Sequence, residues 1–156
     1  MIFVSLGTNK NQFPRLLREI ENLIKVADIK ETVIVQRGNT DYESNLFESF
    51  KNIPMRQFIE YINKADVVIV HAGSGTLFNA IRNRKRIIAV ARLRQFNEHI
   101  DNHQLELAKK LSEGGYILDG TYSLVNAWKQ LRVFSPRYFD FSNTIAKKLK
   151  EYIDLL

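Results

Sequence analysis

All three histidines of this 156-residue chain fall in two short polar segments, His71-Ala72-Gly73-Ser74-Gly75-Thr76 and Glu98-His99-Ile100-Asp101-Asn102-His103-Gln104. The first is a small-residue turn. Glycines at 73 and 75 let a ligand come close to the backbone, and a helix starting there offers unpaired N–H groups and the positive end of its dipole to a phosphate. Ser74 and Thr76 add hydroxyls. The second segment gathers hydrogen-bonding side chains at a loop-to-helix junction. Helix capping by Asp101 or Asn102 accounts for part of it, but not for two histidines and Gln104 beside the cap.

Three common chemistries can be set against these segments, and each lacks a part. A P-loop needs Gly-Lys-Ser/Thr after its spacer, and no lysine lies between Lys64 and Lys85. A dinucleotide fingerprint needs a third glycine where Phe78 stands, so the helix could not pack as closely on its strand. His99 and His103 have the spacing of a zinc pair, but the glutamate that accompanies such a pair is missing and no third ligand is evident. No metal and no cofactor is expected.

The elements that must place these segments alternate along the chain, as in βαβ units with a mainly parallel sheet. Strands are expected at 2–6, 32–36, 46–50, 66–70, 86–90 and 116–118. Helices are expected at 13–26, 55–63, 76–82, 101–112, 123–131 and 145–155. Val67-Val68-Ile69-Val70, apolar without alternation, suits a central strand covered on both faces. The fold class is therefore α/β, a doubly wound sheet of about six strands with helices on both faces. In that topology the strand before Ser5-Leu6-Gly7-Thr8-Asn9 neighbours the strand before His71, and all three polar segments meet at one end of the sheet.

Composition bounds the rest. Hydrophobic residues make up 45% and charged residues 26%, which fits one packed domain over 1–156 and argues against disorder. There is no cysteine for a disulfide framework, and Met1 leads straight into a strand pattern without a basic leader, so cytoplasmic residence is the simple expectation. The net charge of +6 favours an anionic partner. Arg82, Arg84, Lys85, Arg86, Arg92 and Arg94 carry much of the excess, with Lys147, Lys148 and Lys150. A nucleic-acid partner would rest on that charge alone, since no aromatic-interleaved basic strand or recognition helix accompanies it.

Ile2-Phe3-Val4-Ser5-Leu6-Gly7-Thr8, His-Ala-Gly-Ser-Gly-Thr at 71–76 and Glu-His-x-Asp-Asn-His-Gln-x-Glu at 98–106, in that order, resemble the C-terminal domain of family 28 glycosyltransferases. The likeness covers about 1–120 and is greatest to the small stand-alone subunits of two-component transferases. It implies the Rossmann-like C-terminal half of a GT-B enzyme, binding a UDP-sugar as substrate. Gly73, Ser74, Gly75 and Thr76 would hold the diphosphate. Gln104, matching the glutamine that reads donor-sugar hydroxyls in the lipid II transferases, would contact the sugar, with Asn102, His103 and Glu98 in the same donor-binding segment. Gly7 and Thr8 would line the cleft toward a partner. Asn79 stands where many relatives carry a glutamate for the ribose hydroxyls; as a neutral amide it tilts the likeness toward bacterial capsule and exopolysaccharide subunits.

Inverting transfer needs a base for the acceptor hydroxyl and positive charge for the departing UDP. The helix N-terminus, with Arg92 or Arg94, would meet the second need. Family precedent puts the base in the other half of the cleft; within this chain His71 and His99 are the candidates. The resemblance thus implies a membrane-associated partner subunit that brings a lipid-linked saccharide acceptor and recruits this chain to the inner face of the membrane. The amphipathic 140–156 segment, with Ile145, Leu149, Tyr152, Ile153 and Leu156 on one side, is a candidate docking helix. A non-catalytic regulatory or targeting subunit is the alternative; loss of assembly without a rise in donor KM on substituting Gln104 and Thr76 would mark it.

Overall fold

A computed structural model describes residues 1–139 together with Lys150, Glu151 and Ile153. Six parallel strands, β1 (Ile2–Ser5), β2 (Val33–Gln36), β3 (Glu48–Phe50), β4 (Val67–His71), β5 (Arg86–Val90) and β6 (Leu118–Asp119), form one sheet in the order β3-β2-β1-β4-β5-β6. Chain direction across the sheet reverses between β1 and β4, whose register pairs Ile2 with Val67 and Ser5 with Val70. This is the switch point at which an open α/β sheet leaves a crevice at its C-terminal edge. The expected adjacency of the first and fourth strands is therefore present.

Alternate side chains of the strands build two apolar layers. On one face Phe3, Val68 and Ile87 pack with helices α2 (Met55–Lys64), α3 (Ser74–Arg82) and α4 (His103–Glu113). On the other, Val4, Ile69 and Ile88 pack with α1 (Pro14–Val26) and α5 (Leu124–Gln130). Each large aliphatic or aromatic side chain so buried contributes about 1.5–3 kcal/mol. α1 begins with Pro14, whose missing N–H costs nothing at a first helical position, and turns Leu16, Leu17, Ile20 and Leu23 inward.

Several boundaries differ from expectation, three of them for a visible reason. α3 starts at Ser74 rather than 76, because Leu77 N–H already bonds the Gly73 carbonyl, so the phosphate-type turn is itself the first helical turn. α4 starts at His103 after a separate 3-10 turn at Arg94–Phe96, closed by Asn97 with φ 56°. β6 begins at Leu118 rather than 116, since Tyr116 N–H still bonds the carbonyl of Leu111 at the end of α4. Most of the amphipathic 140–156 segment lies outside the described residues; Ile153 is buried and joins the α2–α3–α4 core layer. No described helix is long and apolar enough to cross a membrane.

Candidate functional site

The polar residues that end β1, β2 and β4 form the floor of the crevice. Ser5 Oγ donates to Gln36 Oε1 at 3.1 Å, and Gly7 N–H donates to Ser5 Oγ at 3.3 Å. His71 closes the set by donating Nδ1–H to the Ser5 carbonyl at 3.3 Å. Its imidazole fills the space between the β1 and β4 turns. A Cβ on Gly7 would lie 2.4 Å from His71 Cε1, and one on Gly73 would lie 2.1 Å from Nε2. Gly7 also has φ +70°, and at Gly38, with φ +59°, a Cβ would collide with the Gly7 carbonyl oxygen. Only glycine fits these contacts.

Burial, then the nearby Arg92, pushes the His71 pKa down from 6.5 to about 4, so the ring is neutral at pH 7. A base that weak takes few protons from a hydroxyl at neutral pH. Of the two candidate bases, the structure therefore makes His71 a spacer between two glycine turns.

Arg92 is a clear correction. Expected to steady a departing phosphate, it is 1% exposed and gives its guanidinium to the carbonyls of Leu6 (2.9 Å), Asn11 (2.8 Å) and Glu98 (3.2 Å). It stands over the Phe13 ring, and its Nε is the buried side-chain nitrogen without a partner among the described residues. Burial lowers its pKa to about 10, against the opposing pull of Glu98, so it keeps its charge at pH 7. Its role is to tie the β1 turn to the loop after β5. Arg94 is exposed, and its backbone N–H bonds Asn102 Oδ1.

Glu98 is likewise committed elsewhere. Its two oxygens take Arg15 Nε and Nη2 at 2.9 and 2.8 Å, and Oε2 also accepts Leu93 N–H at 2.9 Å. Only 2% exposed, it anchors the 91–98 loop to α1 and has no face for a sugar. The same loop aims Gln104, whose Oε1 accepts Arg92 N–H at 3.2 Å. The carboxamide nitrogen is what remains to offer.

Asn79, on the second turn of α3, spends its Nδ2 on the Gly75 carbonyl at 3.0 Å, so its oxygen is the group available to a ligand. His99 and His103 both turn Nδ1 to the carboxylate of Asp101, at 2.9 and 3.3 Å. Among the described residues no group of three His, Cys, Asp or Glu is assembled to hold a metal.

These parts frame two spaces on either side of Gly73 and Ser74. A cleft of about 430 Å³ is lined by Gly7, Thr8, His71, 73–76 and Asn79 over the Ser5–Gln36 floor, with Ile53, Met55 and Phe58 as an apolar wall. A smaller pocket of about 220 Å³ lies between Gly73-Ser74 and His99, His103 and Gln104, with Leu107 and Ile153 behind. Of the expected site residues, Glu98, Asn102, Arg92 and Arg94 line neither. The sequence reading missed Ser5, Gln36, Ile53, Met55 and Phe58. Polar residues ending apolar strands were the available signal for the first two. The cluster Arg82, Arg84, Lys85 and Arg86 lies where β5 begins, away from the crevice; Lys85 there bonds the carbonyls of Asn63 and Ala65.

Residues 1–156 match the family model of the glycosyltransferase family 28 C-terminal domain. The chain belongs to that family. The match runs the whole length, beyond the 1–120 over which the motifs were legible. Among curated proteins the chain is similar to the UDP-N-acetylglucosamine transferase subunit ALG13 of Homo sapiens, 41% identical over 58 residues, 37% of this chain and 5% of that protein. The subunit of the same name from Debaryomyces hansenii is 26% identical over 114 residues, 68% of this chain and 54% of that protein. The chain thus spans between 5 and 54% of the length of the curated relatives it matches. A solution structure of ALG13 shares the fold at TM-score 0.62 and 19% identity, covering 94% of this chain and 92% of that one. The calicheamicin glycosyltransferase CalG4 does so at 0.57 and 18%, covering 99% of this chain but 36% of that one. The fold is the Rossmann-like C-terminal half of GT-B enzymes.

Proposed function

We propose that this chain is the donor-binding half of an inverting glycosyltransferase that takes a hexose or N-acetylhexosamine from a UDP-sugar. The observation that carries this reading is the pair of unlike spaces flanking one helix N-terminus. The larger cleft, with an apolar wall and a polar floor, suits a flat nucleobase and its ribose. The smaller pocket, edged by His99, His103 and the amide of Gln104, suits a sugar. A diphosphate joining the two crosses 73–76, where Gly73 caps α3 without a side-chain bond and the first N–H groups of the helix are open.

Those N–H groups and the helix dipole would take up the negative charge that grows on the leaving diphosphate. They are fixed before the reaction, because His71 and the glycines around it leave the turn no slack. Asn79 Oδ1 would accept from a ribose hydroxyl. Gly7 and Thr8 line the cleft, His71 is too weak a base and His99 has its Nδ1 on Asp101 beside the smaller pocket, and we assign the group that deprotonates the acceptor to a second polypeptide. We assign that polypeptide the acceptor-binding half, membrane association and the lipid-linked saccharide acceptor. The names of the curated relatives, subunits of a UDP-N-acetylglucosamine transferase, support an N-acetylhexosamine donor and a partnered enzyme. The neutral Asn79 supports the polysaccharide-assembling type.

The test is a titration of the purified chain, alone and with its partner, with UDP, UDP-glucose, UDP-galactose and UDP-N-acetylglucosamine, followed by an assay of transfer. Millimolar or tighter binding of one UDP-sugar, with transfer only in the partner's presence, is expected. No binding with the partner present overturns the donor assignment. Robust transfer by the chain alone overturns the two-component reading.

A further inference from the structure

Asp101 stands between the two histidines of the smaller pocket, and the donor reading above gives it no part. Its Oδ1 lies 2.9 Å from His99 Nδ1, its Oδ2 lies 3.3 Å from His103 Nδ1, and Oδ1 also accepts the backbone N–H of His103 at 3.1 Å. Both rings line the pocket whose opposite wall is Ala72-Gly73-Ser74, the start of α3. Side-chain exposures of 20% for His99 and 52% for His103 leave each ring reachable by a ligand. With each Nδ1 bound to the carboxylate, each Nε2 is left free of it.

The charge of this trio reverses with protonation. It is −1 with both rings neutral and +1 with both protonated. Burial raises the Asp101 pKa, but the His103 N–H and both rings outweigh it and hold the carboxyl below its ordinary value, so the negative charge persists. Of the nearby ionisable groups, His71 is neutral at pH 7, Arg92 is engaged by three carbonyls and Glu98 is paired with Arg15, while Glu106 shares the first turn of α4 with His103 and Arg94 bonds Asn102 through its backbone N–H. Histidine is the side chain whose charge ordinarily changes between about pH 5 and 8.

We propose that His99 and His103, bridged by Asp101, form a protonation-dependent clamp on the donor's diphosphate, opposite the N-terminus of α3. This rests on the donor reading above. Two imidazolium Nε2–H groups would give charge-assisted hydrogen bonds to phosphate oxygens, and the neutral state would set a net negative charge against the same phosphates. The clamp makes donor retention, and with it product release, sensitive to pH.

The experiment titrates the full chain with UDP-N-acetylglucosamine, whose diphosphate has no proton to lose near neutrality. Affinity at about pH 5.5 should exceed that at about pH 8 by at least about fivefold, and the His99→Gln/His103→Gln pair should flatten the difference. Asp101→Asn removes the negative charge, so it should bind more tightly than the native chain at the higher pH; a merely structural Asp101 would predict weaker binding. In the native chain, ¹⁵N spectra of the imidazoles need no variant to fold, and donor should shift the Nε2 signals of His99 and His103 together with the amides of 73–76. Movement of those amides with silent rings, or an unchanged pH dependence in the double variant, overturns the clamp while leaving the donor site. Silence of both overturns the donor site and the clamp with it.

Discussion

Arg15 on α1 and Glu98 in the loop after β5 meet edge to edge, Nε to Oε1 at 2.9 Å and Nη2 to Oε2 at 2.8 Å. Arg15 also reaches the carbonyls of Ala91 and Thr121, so one guanidinium holds the exits of β5 and β6. The pair is planar and bidentate, and the Glu98 side chain is 3% exposed against 19% for that of Arg15. Removing one partner strands a buried charge. Arg15→Ala or Glu98→Ala should each cost about 2–4 kcal/mol in urea denaturation, and the double variant should cost less than the sum. If Glu98→Gln leaves stability intact but weakens donor binding tenfold or about that, the carboxylate is a ligand-binding group after all.

His71 sets a pH limit on the fold. Its pKa in the folded chain is about 4 against an ordinary 6.5, so as pH falls the unfolded chain takes the proton first. The stability this provides is complete above pH 6.5 and is lost as pH falls from 6.5 toward 4. The whole effect is about 3 kcal/mol at most. Denaturation midpoints of the native chain and His71→Asn, measured across that window, should converge on the acid side. Parallel curves would show that the ring carries no such load.

Gly73 and Gly75 are predicted to respond oppositely to the same methyl group. A Cβ at 73 would lie 2.1 Å from His71 Nε2, whereas one at 75 meets nothing within 4 Å. Gly73→Ala must displace the imidazole or the turn, and should lower both stability and donor affinity. Gly75→Ala sits in the first turn of α3 and should stabilise the fold by up to about 1 kcal/mol from helix propensity alone. It also places a methyl where the diphosphate would approach, so donor affinity should fall about tenfold or more as stability rises. Unchanged affinity in Gly75→Ala would move the diphosphate off this turn.

Strand-level order was legible because short uninterrupted apolar runs such as 67–70 suit central strands, and their alternation with amphipathic helices leaves little choice of topology. The turn at 71–76 was legible because small residues announce close approach. Arg92 misled because, in sequence, it is one more cation in a basic stretch. Its destination, the carbonyls of Leu6 and Asn11, is set by contacts 86 and 81 residues away. Glu98 misled for the same reason, its partner Arg15 being 83 residues distant. The 3-10 turn at Arg94–Phe96 ends in a left-handed asparagine rather than a glycine, so it carried only a weak turn signal. Ile53, Met55 and Phe58 read as ordinary helix-start and core residues until β3 and α2 place them at the crevice.

Gln104 offers the sharpest test of how the smaller pocket reads a ligand. Its Oε1 is fixed by Arg92 N–H at 3.2 Å and the side chain is 9% exposed, so the amide cannot flip without breaking that bond. The pocket therefore receives N–H donors from this residue and no acceptor. Gln104→Ala should weaken UDP-N-acetylglucosamine about fivefold while changing UDP itself less than about twofold, since one hydrogen bond to the sugar is worth about 1 kcal/mol. Stability should fall by about 1–3 kcal/mol because Arg92 N–H loses its acceptor. Gln104→Glu restores that acceptor and should regain the stability, yet it replaces the donor by a negative oxygen close to the diphosphate. It should therefore bind the UDP-sugar more weakly than Gln104→Ala does. Calorimetry on the three proteins with both ligands separates the outcomes. Equal losses for UDP and the UDP-sugar would reduce Gln104 to a residue that shapes the loop, and tighter sugar binding by the glutamate variant would mean that the pocket reads the sugar through an acceptor.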